Sequence, residues 1–226
     1  MTIFKTKRIR TTFFTGLLAL VAFGTTASAA MLETKPGERT IEGVKLAKEA
    51  VFKTESGPVT LGLYASGLRK KKVAVFWAKV YVGQIFAAPG LKPPTTLAEA
   101  RETLMKQPIV AISMTFLRDV GASRVKDGFE DSLEANGMDP NSEELKPLFT
   151  IVEKGGDAKD TLPITLVMER RKDGTEWLHY ENAKGEIQST GFKPGVISKL
   201  LSIWVGKPAD SGMERLQNQF IGKSDD

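Results

Sequence analysis

The chain of 226 residues has no cysteine and a single histidine, His179. The first absence removes disulfides and thiolate chemistry, so stability outside the cytoplasm must come from packing alone. Together the two absences remove the common zinc sites, which draw on Cys and His. No P-loop and no dinucleotide-binding glycine motif occurs, and we expect neither metal nor cofactor. A Ser-His-Asp triad would have to use His179. That residue lies in Trp177-Leu178-His179-Tyr180, a stretch that reads as a strand carrying a structural histidine. Ser123-Arg124-Val125-Lys126 has S-x-x-K spacing, but the S-D-N and K-T-G companions are missing. Glu130, Asp131 and Glu134 read as the solvated face of a helix rather than an acid–base pair.

Excess positive charge is scarcer than the totals suggest. Lys and Arg number 32 against 27 Asp and Glu, but Lys5, Lys7, Arg8 and Arg10 stand in a leader that holds no acid. Without them the chain is close to neutral, which excludes a nucleic-acid-binding role based on bulk charge. A long apolar run is also lacking. A helix that crosses a bilayer needs roughly 20 apolar residues, and the run Phe13–Phe23 is well short of that. Ala27-Ser28-Ala29 follows it as a small-x-small pattern. Residues 1–29 therefore read as a signal peptide cleaved near Ala29 or Ala30. This implies a periplasmic or secreted protein with no stable membrane anchor afterwards. Residues 30–40 read as a flexible N-terminal segment, and residues 41–226 as one domain.

Within that domain, Ile41–Phe52 and Val59–Ala65 read as strands around a turn at Glu55-Ser56-Gly57-Pro58. Val73–Phe86 is apolar at both parities and predicts a central strand covered on both faces, with a bulge near Lys79. Thr96-Leu97-Ala98-Glu99 is a capping box that opens a helix to about Lys106. Ile109–Phe116 is a further strand. Ser123–Asn136 is a helix stopped by Gly137, and a shorter helix spans Ser142–Val152. Leu162–Met168, Trp177–Glu181 and Glu186–Thr190 read as a meander. Helices Pro194–Val205 and Ser211–Ile221 end the chain, the second opened by Ser211-Gly212-Met213-Glu214. Strands, grouped helices, strands and helices again make an α+β order, with a mostly antiparallel sheet and helices on one face.

Gly67-Leu68-Arg69-Lys70-Lys71-Lys72-Val73, continued to Phe86, carries four consecutive cations into the most apolar stretch of the domain. This segment, with Thr115–Asn136 and Leu200–Asp210, resembles the exported bacterial chalcone isomerase-like domain over most of Val44–Gly222. The resemblance implies an open-faced β-sandwich in which helices cover a large antiparallel sheet, with a ligand cleft between them. In the plant enzymes an intramolecular addition closes a chalcone into a flavanone, assisted by an Arg, a Thr, a Tyr and an Asn. The Arg falls on Arg69, the Thr on Tyr81, and the late hydroxyl residue on Ile203. The helix Tyr and Asn fall within Gly121–Glu130, which offers neither.

An Arg followed a dozen residues later by a Tyr is instead similar to the non-catalytic relatives, in which such a pair holds a fatty-acid carboxylate. The expected function is therefore binding of a small apolar carboxylate by Arg69 and Tyr81, with Arg118 as a further candidate and Lys70–Lys72 as a solvated turn. The alternatives are an intramolecular lyase acting on an enone or phenolic substrate, in which Arg69 and Tyr81 would be the catalytic groups, and a non-catalytic envelope protein whose cleft is filled. Guanidinium suits the first reading because its planar fork matches a carboxylate bidentately. Buried without a partner it costs several kcal/mol, so a buried Arg69 requires an internal acid or an anionic guest. Ligand identity and oligomeric state are left open.

Overall fold

The computed structural model describes residues 30–223, so the leader expected at residues 1–29 lies outside the described residues. Eight strands form one antiparallel sheet in chain order. They are β1 (Leu32–Ile41), β2 (Val44–Thr54), β3 (Gly57–Val73), β4 (Phe76–Ala87), β5 (Ile109–Phe116), β6 (Pro163–Arg170), β7 (Glu176–Glu181) and β8 (Ile187–Phe192). Helix α1 (Leu97–Met105) follows β4, α2 (Ala122–Ala135) and α3 (Lys146–Gly155) follow β5, and α4 (Val196–Val205) and α5 (Ser211–Phe220) follow β8. This is the expected α+β order.

Local chemistry accounts for most boundaries. Thr96 caps α1 by accepting from Glu99 N at 3.1 Å, while the Glu99 carboxylate reaches back to Thr95 N at 2.9 Å. Gly137 follows α2 at φ 74°, in the left-handed region that favours glycine. The final helix is capped one residue earlier than its sequence suggests. Asp210, not Ser211, accepts from Met213 N at 2.8 Å, as an N-cap carboxylate does.

Two expectations are corrected. The segment at residues 30–40, expected as a flexible lead-in, is instead largely strand: Leu32–Ile41 pairs with β2 at the edge of the sheet. Its outward-facing polar residues hide it from pattern reading, and its proline at position 36 sits at a register shift, as edge strands permit. Nor is Val73–Phe86 one strand. β3 runs through the cations to Val73, and the chain turns at Ala74-Val75 into β4, pairing Lys72 with Trp77 and Val73 with Phe76. Lys70–Lys72 are therefore strand residues, and the solvated turn lies beyond them. The register shift that leaves Val80 unpaired between Arg69↔Tyr81 and Lys70↔Lys79 is the bulge expected near Lys79.

Alternation along β4 and β5 sorts the core into two sides. Tyr81, Ile85, Val110, Ile112, Met114 and Phe116 face the helices and pack with Phe129, Leu133, Ile203, Trp204, Met213 and Leu216. Phe86 and Ala111 face the other way, against Leu32, Ala47 and Phe52 of the β1–β2 hairpin. Gln84 fastens that hairpin by accepting from Ala47 N at 2.8 Å. Both faces of β4 are thus covered, as its doubly apolar sequence requires. Helix α5 approaches β3 where Gly67 pairs with Gly83. A Cβ on Gly67 would lie 3.0 Å from Leu216 Cδ1 and from Gln219 Cβ, and Gln219 in turn accepts from Leu68 N at 2.8 Å.

Candidate ligand-binding site

The register of the β3–β4 hairpin places Arg69 directly opposite Tyr81, so both side chains project from the helix-covered face. Beside them is a cavity of ≈ 640 Å³, within the usual range for small-molecule sites. β3, β4, β5, α2, α4 and α5 all contribute to its wall. Val80, Met114, Phe116, Phe129, Ile203 and Met213 make the apolar lining, and Arg118, Arg124, Asp119 and Asp127 stand around the polar rim. The structure therefore brings together all three residues singled out from sequence, Arg69, Tyr81 and Arg118. A smaller hollow of ≈ 420 Å³ between α1 and the end of α4 includes Arg101 and Glu102 but no tyrosine.

Arg69 is 8% exposed, and its charge is already matched. Its Nη2 lies 2.7 Å from Asp210 Oδ2, and its Nη1 donates to the carbonyl of Lys70. Lys71 Nζ reaches the same Asp210 oxygen at 3.5 Å and Asp131 at 3.9 Å. Burial pushes the Asp210 carboxyl up, but the Arg69 hydrogen bond and charge, with Met213 N–H and Lys71, outweigh it and hold the group below its ordinary value. The partner that the resemblance leaves to a ligand is thus supplied from within the chain. Asp210 is 141 residues from Arg69 in sequence, and no local pattern marks it as that partner.

The arrangement depends on Gly212. A Cβ there would lie 1.8 Å from the Lys70 carbonyl oxygen and 2.2 Å from Arg69 Nη1, so the first turn of α5 rests directly on the strand. Arg69 keeps spare capacity in this position. A guanidinium has five N–H donors, and the two contacts described use two of them.

Tyr81 is 8% exposed, with its ring tilted against Phe116 at 5.5 Å between centroids. Its ring also lies over Gly83, where a Cβ would stand 3.3 Å from Tyr81 Cε2. Burial pushes the phenol up, opposed by the charge of Arg69 and by the nearby indole N–H of Trp204, so it is a protonated donor at neutral pH. The Trp204 indole nitrogen itself is buried without a well-formed hydrogen bond. Ile203, at the position of the late catalytic hydroxyl, contributes only apolar surface. Arg118 is exposed at the rim. Its neighbour Asp119 is engaged by Lys159 at 3.1 Å and by Asp160 N at 2.9 Å rather than by Arg118. Arg124 also lines the cavity, although in sequence it stands out only as part of S-x-x-K.

His179 lies apart from the cavity. Its Nδ1 is 2.8 Å from Ser189 Oγ, its Nε2 is 3.4 Å from Glu169 Oε2, and its ring packs on Phe52 and Trp177. Burial lowers its pKa most, against the opposing effect of Glu169.

An open antiparallel sheet with helices on one face and a cavity between the two layers is a fold of the chalcone isomerase type. Among solved structures, the Arabidopsis thaliana fatty-acid binding protein AtFAP1 shares it at a TM-score of 0.54 and 16% identity, over 84% of this chain and 96% of that one. No protein-family model matches the sequence, and no curated protein matches it either.

Proposed function

We propose that the protein binds a small apolar carboxylate of fatty-acid type in the ≈ 640 Å³ cavity, with the headgroup at Arg69 and Tyr81 and the chain along Met114, Phe116, Phe129 and Ile203. The observation that carries this reading is the juxtaposition itself: a buried guanidinium and a buried phenol, paired across one hairpin, at the wall of an apolar cavity. The spare N–H groups of Arg69 and the Tyr81 hydroxyl supply neutralised but directional donors. Lys71 adds a cation close by. A ligand of this chemistry is also what the name of AtFAP1 states for that protein.

The rival readings fit less well. An envelope protein with a filled cleft would account for the Arg69–Asp210 pair but not for the cavity. An enone lyase would need groups to organise water, and among the described lining residues Tyr81 is the only hydroxyl. If the lyase were right, the protein would accelerate the loss of chalcone absorbance.

The test is native purification followed by extraction and mass spectrometry, with fatty-acid titration of the emptied protein. A protein that is empty and fails to bind in titration ends the reading. Gly128→Leu is the matching variant. Gly128 lines the cavity on α2, and a Cβ there meets nothing within 4 Å. A leucine should fill the space, raise rather than lower the thermal transition through helix propensity, and weaken binding roughly tenfold or more.

We further propose that residues 1–29 direct export to the periplasm. Met31 N donates to Glu181 Oε2 at 3.2 Å, and burial pushes the Glu181 carboxyl up against that hydrogen bond. Cleavage after Ala30 would convert this donor into an α-ammonium facing a buried carboxylate. N-terminal sequencing of the exported protein reads the site directly, and Glu181→Gln reads its consequence. In a chain that begins at Met31 the variant should be less stable at pH 7. In an uncleaved chain the raised carboxyl costs stability as pH rises above its unfolded value of about 4.3, so the same variant should be more stable at pH 7 and equal to the parent near pH 4.

A further inference from the structure

The far end of the β3–β4 hairpin is built unlike the rest of the surface. Pairing of β3 with β2 ends at Gly62, and pairing of β4 with β5 ends at Tyr81↔Phe116. Residues 70–79 therefore stand beyond the sheet as a two-stranded ribbon. The tip of that ribbon is apolar and exposed: Val73 is 57%, Val75 79%, Phe76 75% and Trp77 36% accessible. These are four of the six exposed large hydrophobic residues among the described ones, gathered within five positions. The turn carries Ala74 at φ 53°, followed by Val75. Tight hairpins favour Asn-Gly or Asp-Gly there. Apolar side chains occupy the place of turn formers.

Cations surround this tip. Lys70, Lys71 and Lys72 precede it, Lys79 follows it, and the Arg215 guanidinium lies 4.7 Å from the Trp77 ring centre. Acids among the described residues reach some of these cations: Glu42 is bound to Lys79 at 2.5 Å, and Asp131 and Asp210 lie near Lys71. A convex apolar prong ringed by Lys and Arg, with Trp at its base, suits the interface of an anionic bilayer. There apolar side chains enter the acyl boundary, Trp sits at headgroup level and each cation adds attraction. A protein partner would ordinarily need a broader face, about 800 Å² per side.

We propose that this hairpin tip docks the protein onto anionic phospholipid membranes. Lys71, Val73 and Ala78 belong both to the ribbon and to the lining of the cavity, so docking would place the cavity beside the lipid surface. Exchange of an acyl ligand with that membrane rests on the binding function proposed above, whereas docking itself does not.

The experiment measures partition of the full protein onto vesicles of phosphatidylcholine with and without phosphatidylglycerol, by flotation and by tryptophan emission. Binding should require phosphatidylglycerol, weaken with added salt, and fall roughly tenfold or more in Val75→Asp/Phe76→Asp. The accompanying blue shift should disappear in Trp77→Phe. Fatty-acid titration of the tip variant without vesicles separates the two readings, since its affinity should equal that of the parent whether or not docking occurs. Equal binding to both vesicle types, binding unchanged by the tip substitutions, or no vesicle binding together with self-association that the same substitutions abolish would each overturn the proposal.

Discussion

Asp210→Ala should destabilise the fold by about 3 kcal/mol, the lower end of what breaking a buried ion pair costs. The lower end applies because the Asp210 side chain is itself 31% exposed. The substitution leaves the Arg69 guanidinium buried without its acid. It also strips the N-cap from α5, a further loss of about 1 kcal/mol. Urea unfolding reads the sum as a lower midpoint at unchanged slope. Replacing Arg69 and Asp210 together by apolar residues should recover part of the loss, since no isolated charge then remains. The pH dependence has a definite sign. The Asp210 carboxyl is held below its ordinary value in the folded chain. Its contribution is therefore complete above the unfolded value of about 3.9 and is lost as pH falls below it. The variant should lack that portion of the acid limb. A loss under about 1 kcal/mol would mean that water already screens the pair.

Gly212→Ala should be comparably severe, at about 3 kcal/mol, the upper end of overpacking costs. The added methyl meets the Lys70 carbonyl oxygen at 1.8 Å, and that oxygen is already engaged by Arg69 Nη1. Relief requires α5 to lift from β3, which would also strain the Gln219–Leu68 bond and the Arg69 contacts. Gly128→Ala is the internal control. It sits within α2 with nothing inside 4 Å, and alanine there should gain up to about 1 kcal/mol from helix propensity alone. Thermal melts of the two alanine variants should move in opposite directions. Identical melts for Gly212→Ala and the parent would show that the helix does not rest on the Lys70 carbonyl.

The two substitutions bear on function through one geometry. Arg69 can present spare donors to a ligand only while Asp210 holds its charge in place and α5 stays seated. Both variants should therefore weaken fatty-acid binding more than their distance from the apolar lining suggests, whereas Gly128→Leu weakens it by filling the cavity and leaves the anchor intact.

Much of the fold is legible without coordinates. The strand expected at Ile109–Phe116 keeps its bounds, and α1, α2 and α4 fall within two residues of expectation at each end. Capping, glycine stops and helical periodicity are local effects, which is why they can be read in this way. The Arg69–Tyr81 pair is legible through resemblance, and the lack of a companion hydroxyl at Ile203 is plain from residue type. The β1 strand escapes pattern reading because an edge strand with polar outward faces has no hydrophobic period to detect. The β3–β4 turn escapes it because Ala74-Val75 has no turn chemistry, so two strands read as one.

Composition and periodicity settle here those features in which each residue answers to its near neighbours: the helix ends, the alternation of β4 and β5, the α+β order and the absence of Cys-based chemistry. The partner of Arg69, the closeness of α5 to β3 and the bareness of the hairpin tip belong to another class. Each depends on a contact, or the lack of one, between segments far apart in the chain. Asp210 meets Arg69 only because a glycine at position 212 admits helix to strand, and the tip stands clear only because two neighbouring strands stop short. Such distances are set by how whole elements pack, and no short window of sequence contains them.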